Sequence, residues 1–318
     1  MRLPCIALVT PASAADNNGN WQTAQRWARF LRGDYAVRLT RQWTGGSEQL
    51  MIALHARRSA ESVRAWRAAH PERPLVLVLT GTDLYRDIAD DATAQRSLQL
   101  ADRLVVLNEL GLAPLPEPLR AKGRVCLQSS PCRQARPKTG RHLRAVMVGH
   151  LRQEKSPHTY FEAARLLAER GDILLDHIGG ELDADLARQA CELARECPHY
   201  RWLGALPHSA TRARIQAAHV LVHPSRMEGG AQAVIEAVAS GTPVIASRIA
   251  GNLGLLGADY SGCFDWGDAT GLATLLRRAR DDAAMLPALR AQCARRAPLF
   301  YPDHERQTLL RLLAELHP

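Results

Sequence analysis

The stretch HPSRMEGGAQAVIEAVASGTPVIAS, residues 223–247, decides how the chain is read. A strand (VLVHPS, 220–225) ends in Pro224 and Ser225, a Gly229-Gly230 turn follows, Ala231 opens a helix carrying Glu236, and PVIAS (243–247) returns as a second strand. Strand, glycine turn, helix and second strand make a βαβ unit. Small residues at such a turn let backbone N–H groups approach an anion at the positive end of the helix, which gives the segment the form of a phosphate site. Glu228 and Glu236 stand with seven residues between them, one in the loop and one on the helix. They therefore serve different parts of one ligand: a helix carboxylate can accept two hydrogen bonds from a ribose diol, and a loop carboxylate one from a sugar hydroxyl.

The same alternation extends in both directions. Towards the N-terminus lie strands at 143–149, 173–179 and 200–204, interleaved with helices at 157–170, 183–196 and 211–219. Before residue 130, short apolar runs at 5–10, 35–40, 51–55, 74–80, 103–108 and 124–129 alternate with amphipathic stretches such as NWQTAQRWARFL (20–31). Between the two halves, PCRQARPKTGRH (131–142) is Pro-rich, basic and without apolar periodicity, as a linker is. The expected fold class is α/β, two Rossmann-like doubly wound parallel sheets. Expected boundaries are 1–133 for the first domain, 134–142 for the linker, 143–300 for the second domain and 301–318 for a helix that packs back on the first. Ligands bind beyond the carboxyl ends of parallel strands, so two such sheets facing each other are expected to form a central cleft.

Length and composition agree with this. The chain has 318 residues, enough for about two domains at ~150 residues each. With 46% hydrophobic and 23% charged residues it has the balance of an ordinary globular chain. The net charge of +9 comes with only three lysines, Lys122, Lys138 and Lys155, among 41 basic residues, and the arginines are spread between acidic neighbours without a basic tract. Nucleic acid is therefore not expected as a partner. Seven cysteines form no CxxC pair, which points to a reducing, cytoplasmic setting. The N-terminal apolar run is too brief for a signal peptide, and no stable membrane association is expected. Neither a His/Cys cluster nor paired carboxylates has ligand spacing, so no metal or other cofactor is expected.

Three further segments carry candidate residues. VGHLRQEKSP (148–157) leaves a strand and enters a helix, placing His150, Arg152 and Lys155 at a strand mouth where two cations can neutralise a diphosphate. After the first strand, Asn18, Gly19 and Asn20 form a polar loop entering a helix, equally a helix cap and an oxyanion contact. LVLTGTDLYRDI (77–88) ends a buried strand in Gly81, Thr82 and Asp83; on propensity Asp83 is a helix N-cap. No G-x-G-x-x-G occurs, which speaks against a nicotinamide enzyme.

The E-x7-E pair with its A-x-x-x-G-x-P-V-I-A-S continuation resembles retaining glycosyltransferases of the GT-B fold, family 4 type, over most of residues 143–265. Such enzymes usually carry Arg directly after the glycine of the 148–157 segment. Here His150 stands there, with Lys155 at the family's lysine place and Arg152 as the substitute cation. Many members also have a histidine near residues 77–88, and this chain has none there. NNGNWQTAQRWARFL, LTGTDLYRDI, VGHLRQEKSP, EGGAQAVIEA and SRIAGNLGLLGADYSG together resemble a narrower group, the selenosugar synthases of selenoneine biosynthesis.

That resemblance implies a UDP-sugar, UDP-N-acetylglucosamine, as donor and selenophosphate as acceptor, with release of UDP and no metal. Glu228, Arg152 and Lys155 would be catalytic. Glu236, Gly229, Gly230, Ala231, His150 and Ser225 would bind the donor, and Asn18, Gly19, Asn20, Gly81, Thr82 and Asp83 the acceptor or its phosphate. The first domain would be the acceptor side and the second the nucleotide-sugar side. Two alternatives stay open: a conventional retaining O-glycosyltransferase acting on a glycolipid or small alcohol, and a non-catalytic sugar-nucleotide binding protein. Donor sugar, anomeric outcome and oligomeric state are not specified by the sequence.

Overall fold

The computed structural model describes residues 3–13 and 19–316. The chain divides into two compact units, one made of Met1–Gln128, Glu228–Gly230 and Pro302–Pro318, the other of Ser129–Met227 and Ala231–Tyr301.

The first unit holds β1 (Cys5–Val9), α1 (Gly19–Phe30), β2 (Ala36–Thr40), β3 (Leu50–Leu54), α2 (Ala60–Ala69), β4 (Leu75–Leu79), a wide helical turn at Asp83–Asp87, α3 (Ile88–Asp90), α4 (Ala92–Leu100), β5 (Arg103–Val106) and β6 (Gly123–Val125). Its sheet runs β2-β1-β3-β4-β5-β6 with every pair parallel. Both faces are buried, and the period of two along a strand shows in the cores. Ala7, Val9, Met51, Ala53, Leu75, Leu77 and Leu79 join Val63 and Trp66 of α2 and Leu98 of α4 on one face. Ile6, Leu8, Leu50, Ile52, Leu54, Val76 and Val78 join Trp27 and Leu31 on the other. β3 and β4 read as continuous apolar runs because each of their residues meets one core or the other.

The second unit holds β7 (Leu143–Val148), α5 (Pro157–Leu166), β8 (Ile173–Ile178), α6 (Ala184–Glu196), β9 (Tyr200–Trp202), α7 (His208–Ala217), β10 (Val220–His223), α8 (Gln232–Val238), β11 (Val244–Ser247), α9 (Ala250–Leu256), β12 (Cys263–Phe264), α10 (Ala269–Asp281) and α11 (Met285–Arg296). Its parallel sheet runs β12-β11-β10-β7-β8-β9. In this sheet the first strand of the unit, β7, lies in the interior, and the chain winds out from it to both edges, as in a nucleotide-binding doubly wound sheet.

The last helix, α12 (Pro302–Ala314), belongs to the first unit, where Leu309, Leu312 and Leu313 at i, i+3 and i+4 spacing join the Trp27 core. The linker reading of 131–142 is modified. The stretch has no regular structure, yet Arg133 N donates to Ala239 O, Gln216 Nε2 to Gln134 O and Arg212 to Pro131 O, so it is strapped along the second unit. All seven cysteines are free, and no helix among the described residues is long and apolar enough to cross a membrane.

Candidate functional site

In the second unit the strand order reverses between β7 and β10, and the loops leaving these two strands define the crevice in which such sheets hold ligands. The 149–156 loop carries His150, Arg152 and Lys155; the 224–231 segment carries Ser225 and runs to Ala231 at the start of α8. Arg226 N donates to Glu154 O at 2.9 Å and ties the two loops together.

The first loop is built on close backbone approach. A Cβ on Gly149 would press on the Lys155 side chain, and one on Gly179 would fall onto the Gly149 carbonyl. Gly179→Ala is therefore expected to cost about 1 to 3 kcal/mol, as overpacking does, read as a lowered denaturation midpoint. The Gly180 amide donates to His150 Nδ1 at 3.0 Å, so the ring proton sits on Nε2. Burial first, then the charges of Arg152 and Lys155, hold the His150 pKa below its ordinary value. His150 is thus a neutral ring with one N–H to offer. Arg152 is exposed and Lys155 half-buried, with Ser156 turning the chain into α5 at a left-handed φ of 47°.

Ser225 faces inward. Its hydroxyl meets His223 Nε2 at 3.3 Å and its carbonyl accepts from Ser247 Oγ at 2.6 Å, which makes it a brace of the loop. Ala231 begins α8 without any side-chain cap. Glu236 is 3% exposed, and its Oε1 accepts from His208 Nε2 at 2.6 Å. The sequence reading missed His208 because it began that helix at Thr211. The helix begins three residues earlier, just after Pro207, and this first residue reaches Glu236. A carboxylate has about four acceptor positions, so His208 leaves Glu236 room for hydroxyl donors.

The first unit's order reverses between β1 and β3. Asn18 lies outside the described residues. Gly19 and Asn20 open α1, where Thr23 Oγ1 donates back to Gly19 O at 2.8 Å. Gly81, at φ 134°, leads into half-buried Thr82. Asp83 is not a helix N-cap. It is fully buried and accepts from the amides of Thr80, Gly81 and Ala56 at 2.8, 2.9 and 2.9 Å, so its carboxylate clamps two loops together. That ties up the carboxylate expected near the acceptor and leaves Gly81 and Thr82 presented beside it. Glu228, Gly229 and Gly230 belong to this unit, where Asn108 Nδ2 donates to Gly229 O at 2.8 Å and to the Tyr85 hydroxyl at 2.9 Å. Burial, and less strongly the Glu228 charge, raise the Tyr85 pKa and keep the phenol neutral.

The structure therefore gathers His150, Arg152, Lys155, Ser225, Ala231 and Glu236 in one unit and Gly81, Thr82, Asp83 and Glu228–Gly230 in the other. Besides His208, the sequence reading also missed His55, the residue after β3, whose Nε2 lies 3.1 Å from Thr82 Oγ1. The signal was its position at a strand's carboxyl end. No group of three or more His, Cys, Asp or Glu side chains among the described residues is arranged to hold a metal.

Residues 132–299 match the family model described as glycosyl transferases group 1. A D-inositol 3-phosphate glycosyltransferase of Corynebacterium urealyticum is 34% identical over 139 residues, covering 39% of this chain and 33% of that protein, so the chain matches about a third of that curated relative's length. Among solved structures, a sucrose-phosphate synthase from Thermosynechococcus elongatus superposes with a TM-score of 0.80 at 18% identity, over 98% of this chain and 99% of that one. HepE of Anabaena, solved in complex with UDP and glucose, gives 0.77 at 16% identity over 98% and 100%. At these identities the likeness is one of fold, the two-domain GT-B architecture.

Proposed function

We propose, from the premise that the chain belongs to the glycosyl transferases group 1 family, that it transfers a glycosyl group from a uridine diphosphate sugar to a small anionic acceptor. The observation that carries this reading is the switch point of the second sheet, where Lys155 and Arg152 leave one strand and buried Glu236 follows the other. Glu236 grips the ribose hydroxyls, and Arg152 and Lys155 neutralise the diphosphate as it departs. His150 donates its Nε2 proton to a donor oxygen in place of the usual arginine. The Ala231 amide, at the start of α8, contacts phosphate. HepE, captured with UDP and glucose, supports the choice of nucleotide.

The finer reading takes UDP-N-acetylglucosamine as donor and selenophosphate as acceptor, and rests on the motif resemblance to selenosugar synthases. The C1–O bond to the diphosphate breaks with its electron pair going to UDP, and a selenium lone pair forms the C1–Se bond. The products are UDP and a sugar joined through selenium to phosphate. A selenium anion is already a strong nucleophile, so little is asked of a general base. The free cysteines accord with a reducing, cytoplasmic setting.

The test is incubation with UDP-sugars, with and without selenophosphate, following UDP release and selenium-bearing sugar by mass. Acceptor-dependent UDP release with a selenium–sugar product is expected. Donor turnover indifferent to selenium would reject the acceptor and leave glycosyl transfer standing. Glu236→Ala should weaken UDP binding at least tenfold, the value of charge-assisted hydrogen bonds of about 1.5 to 3 kcal/mol, while Glu228→Ala mainly slows turnover. Unchanged behaviour in both would remove the donor-site assignment.

A further inference from the structure

His55 is an unusual residue to find where it is. It is 2% exposed and leaves β3 at a left-handed φ of 74°, a conformation uncommon for a side chain of its size. The turn that imposes this is well held: Ser59 Oγ donates to Leu54 O at 2.6 Å, Ser59 N to His55 O at 3.1 Å, and Ala56 N to Asp83 at 2.9 Å. Strain kept in place by several hydrogen bonds at a strand's carboxyl end, beside the sheet's switch point, is a reason to ask what the ring does there.

The hydrogen bonds fix the proton. The Arg58 amide can only donate, and it points at His55 Nδ1 at 3.4 Å. Nδ1 is therefore the acceptor nitrogen and Nε2 carries the hydrogen, which it donates to Thr82 Oγ1 at 3.1 Å. With its lone pair engaged by the ring, the Thr82 hydroxyl has its own proton left to give, and half-buried Thr82 stands beside Gly81 at the end of β4. Four charged groups act on the ring, Asp83, Asp87, Arg57 and Arg58. Asp83 and Asp87 lie 3.9 and 4.0 Å away, beyond hydrogen-bonding reach. Asp87 is paired with Arg57 at 3.1 Å and Arg86 at 3.0 Å, and Arg58 adds a further positive charge. Both carboxylates near the ring are already engaged, Asp87 by two guanidinium groups and Asp83 by three backbone amides. Burial, the largest influence on the ring, lowers its pKa and keeps it neutral.

We propose that His55 is a positioning residue that fixes the Thr82 hydroxyl as a hydrogen-bond donor to a phosphate-type oxygen of the acceptor. This deepens the glycosyl-transfer reading by placing the acceptor's anion at Thr82, and it can be tested without that reading. The probe is inorganic phosphate, titrated calorimetrically into the full chain with and without UDP, for wild type, His55→Leu, His55→Gln, Thr82→Val and the double substitution H55L/T82V.

Wild type should bind phosphate. His55→Leu and Thr82→Val should each weaken that binding by about tenfold, the double substitution should be no weaker than either single one, and UDP affinity should stay the same throughout. The Gln amide can again donate to Thr82, so His55→Gln should recover affinity to within about twofold of wild type. A purely structural role would not be rescued by Gln and would show in Thr82→Val only as additivity. Should His55→Leu fail to fold, Thr82→Val and His55→Gln still decide the matter. No phosphate binding by wild type, or additive losses, overturns the proposal. Loss of UDP binding by wild type would instead overturn the donor reading and leave the phosphate result to stand by itself.

Discussion

Replacing Glu305 with alanine is expected to remove about 3 to 5 kcal/mol of stability, the cost of breaking a buried charge pair from one side. Glu305 lies on α12 and is fully buried. Its Oε2 accepts from Arg26 Nε at 2.8 Å and its Oε1 from the Trp27 indole at 2.7 Å, both donors on α1. Alanine would strand the guanidinium of Arg26, whose side chain is 11% exposed, and an indole N–H inside the core that Leu309, Leu312 and Leu313 complete. Because α12 comes from the far end of the chain, this contact also holds the first unit's last segment in place. Denaturant titration should show the loss, with Glu305→Gln intermediate because its amide oxygen can still accept from Trp27. A loss under about 1 kcal/mol, the size of an exposed ion pair, would show that the pair is not what anchors the helix.

The reach of the sequence can be judged from such pairs. Strands were legible because sheets covered on both faces write themselves as apolar runs, and the loop after β10 was legible because Glu228, Gly229, Gly230 and Glu236 fall within nine residues. What stayed hidden were partners brought together from afar. His55 meets Thr82 across 27 positions and His208 meets Glu236 across 28. No local pattern links either pair; each depends on which strand neighbours which. Asp83 failed in a different way. An acid after a glycine turn is a good N-cap on propensity, but here β3 ends beside β4, and the amide of Ala56 competes successfully for the carboxylate. The 131–142 stretch misled for a third reason: polar, proline-rich sequence encodes the absence of regular structure, not freedom from contact, and its carbonyls are claimed by Arg212 and Gln216.

The two switch points carry different chemistry. In the second unit, Arg152 and Lys155 stand on a loop whose glycines permit close packing, and buried Glu236 lies on α8. In the first unit, a threonine hydroxyl is held against a neutral imidazole.

Acid should loosen the second unit before ordinary carboxylate titration does so, and His177 is the reason. On β8, its Nε2 donates to Gly149 O at 3.0 Å and its Nδ1 accepts from the Tyr200 hydroxyl at 3.1 Å, with Tyr160 and Phe161 packed around it. Burial pulls its pKa from 6.5 down to about 4, only partly offset by the Gly149 carbonyl. Above pH 6.5 the ring is neutral folded and unfolded, and stability is unaffected. Between 6.5 and 4 the unfolded chain takes up a proton that the folded chain refuses, so stability falls with pH and the loss is complete below 4. At about 1.4 kcal/mol per pH unit, this one residue removes on the order of 3 kcal/mol. His55, His150, His199 and His219 are shifted in the same direction by burial, so the wild-type slope is steeper than His177 alone would make it. The difference between wild type and His177→Gln in denaturation at pH 7, 6, 5 and 4.5 isolates its share, since glutamine keeps a donor for Gly149 and does not titrate. Parallel pH curves for the two would mean that the ring is not held neutral. A diverging pair would tie the acid sensitivity to the residue that anchors the Gly149 turn, from which His150 and Lys155 are presented.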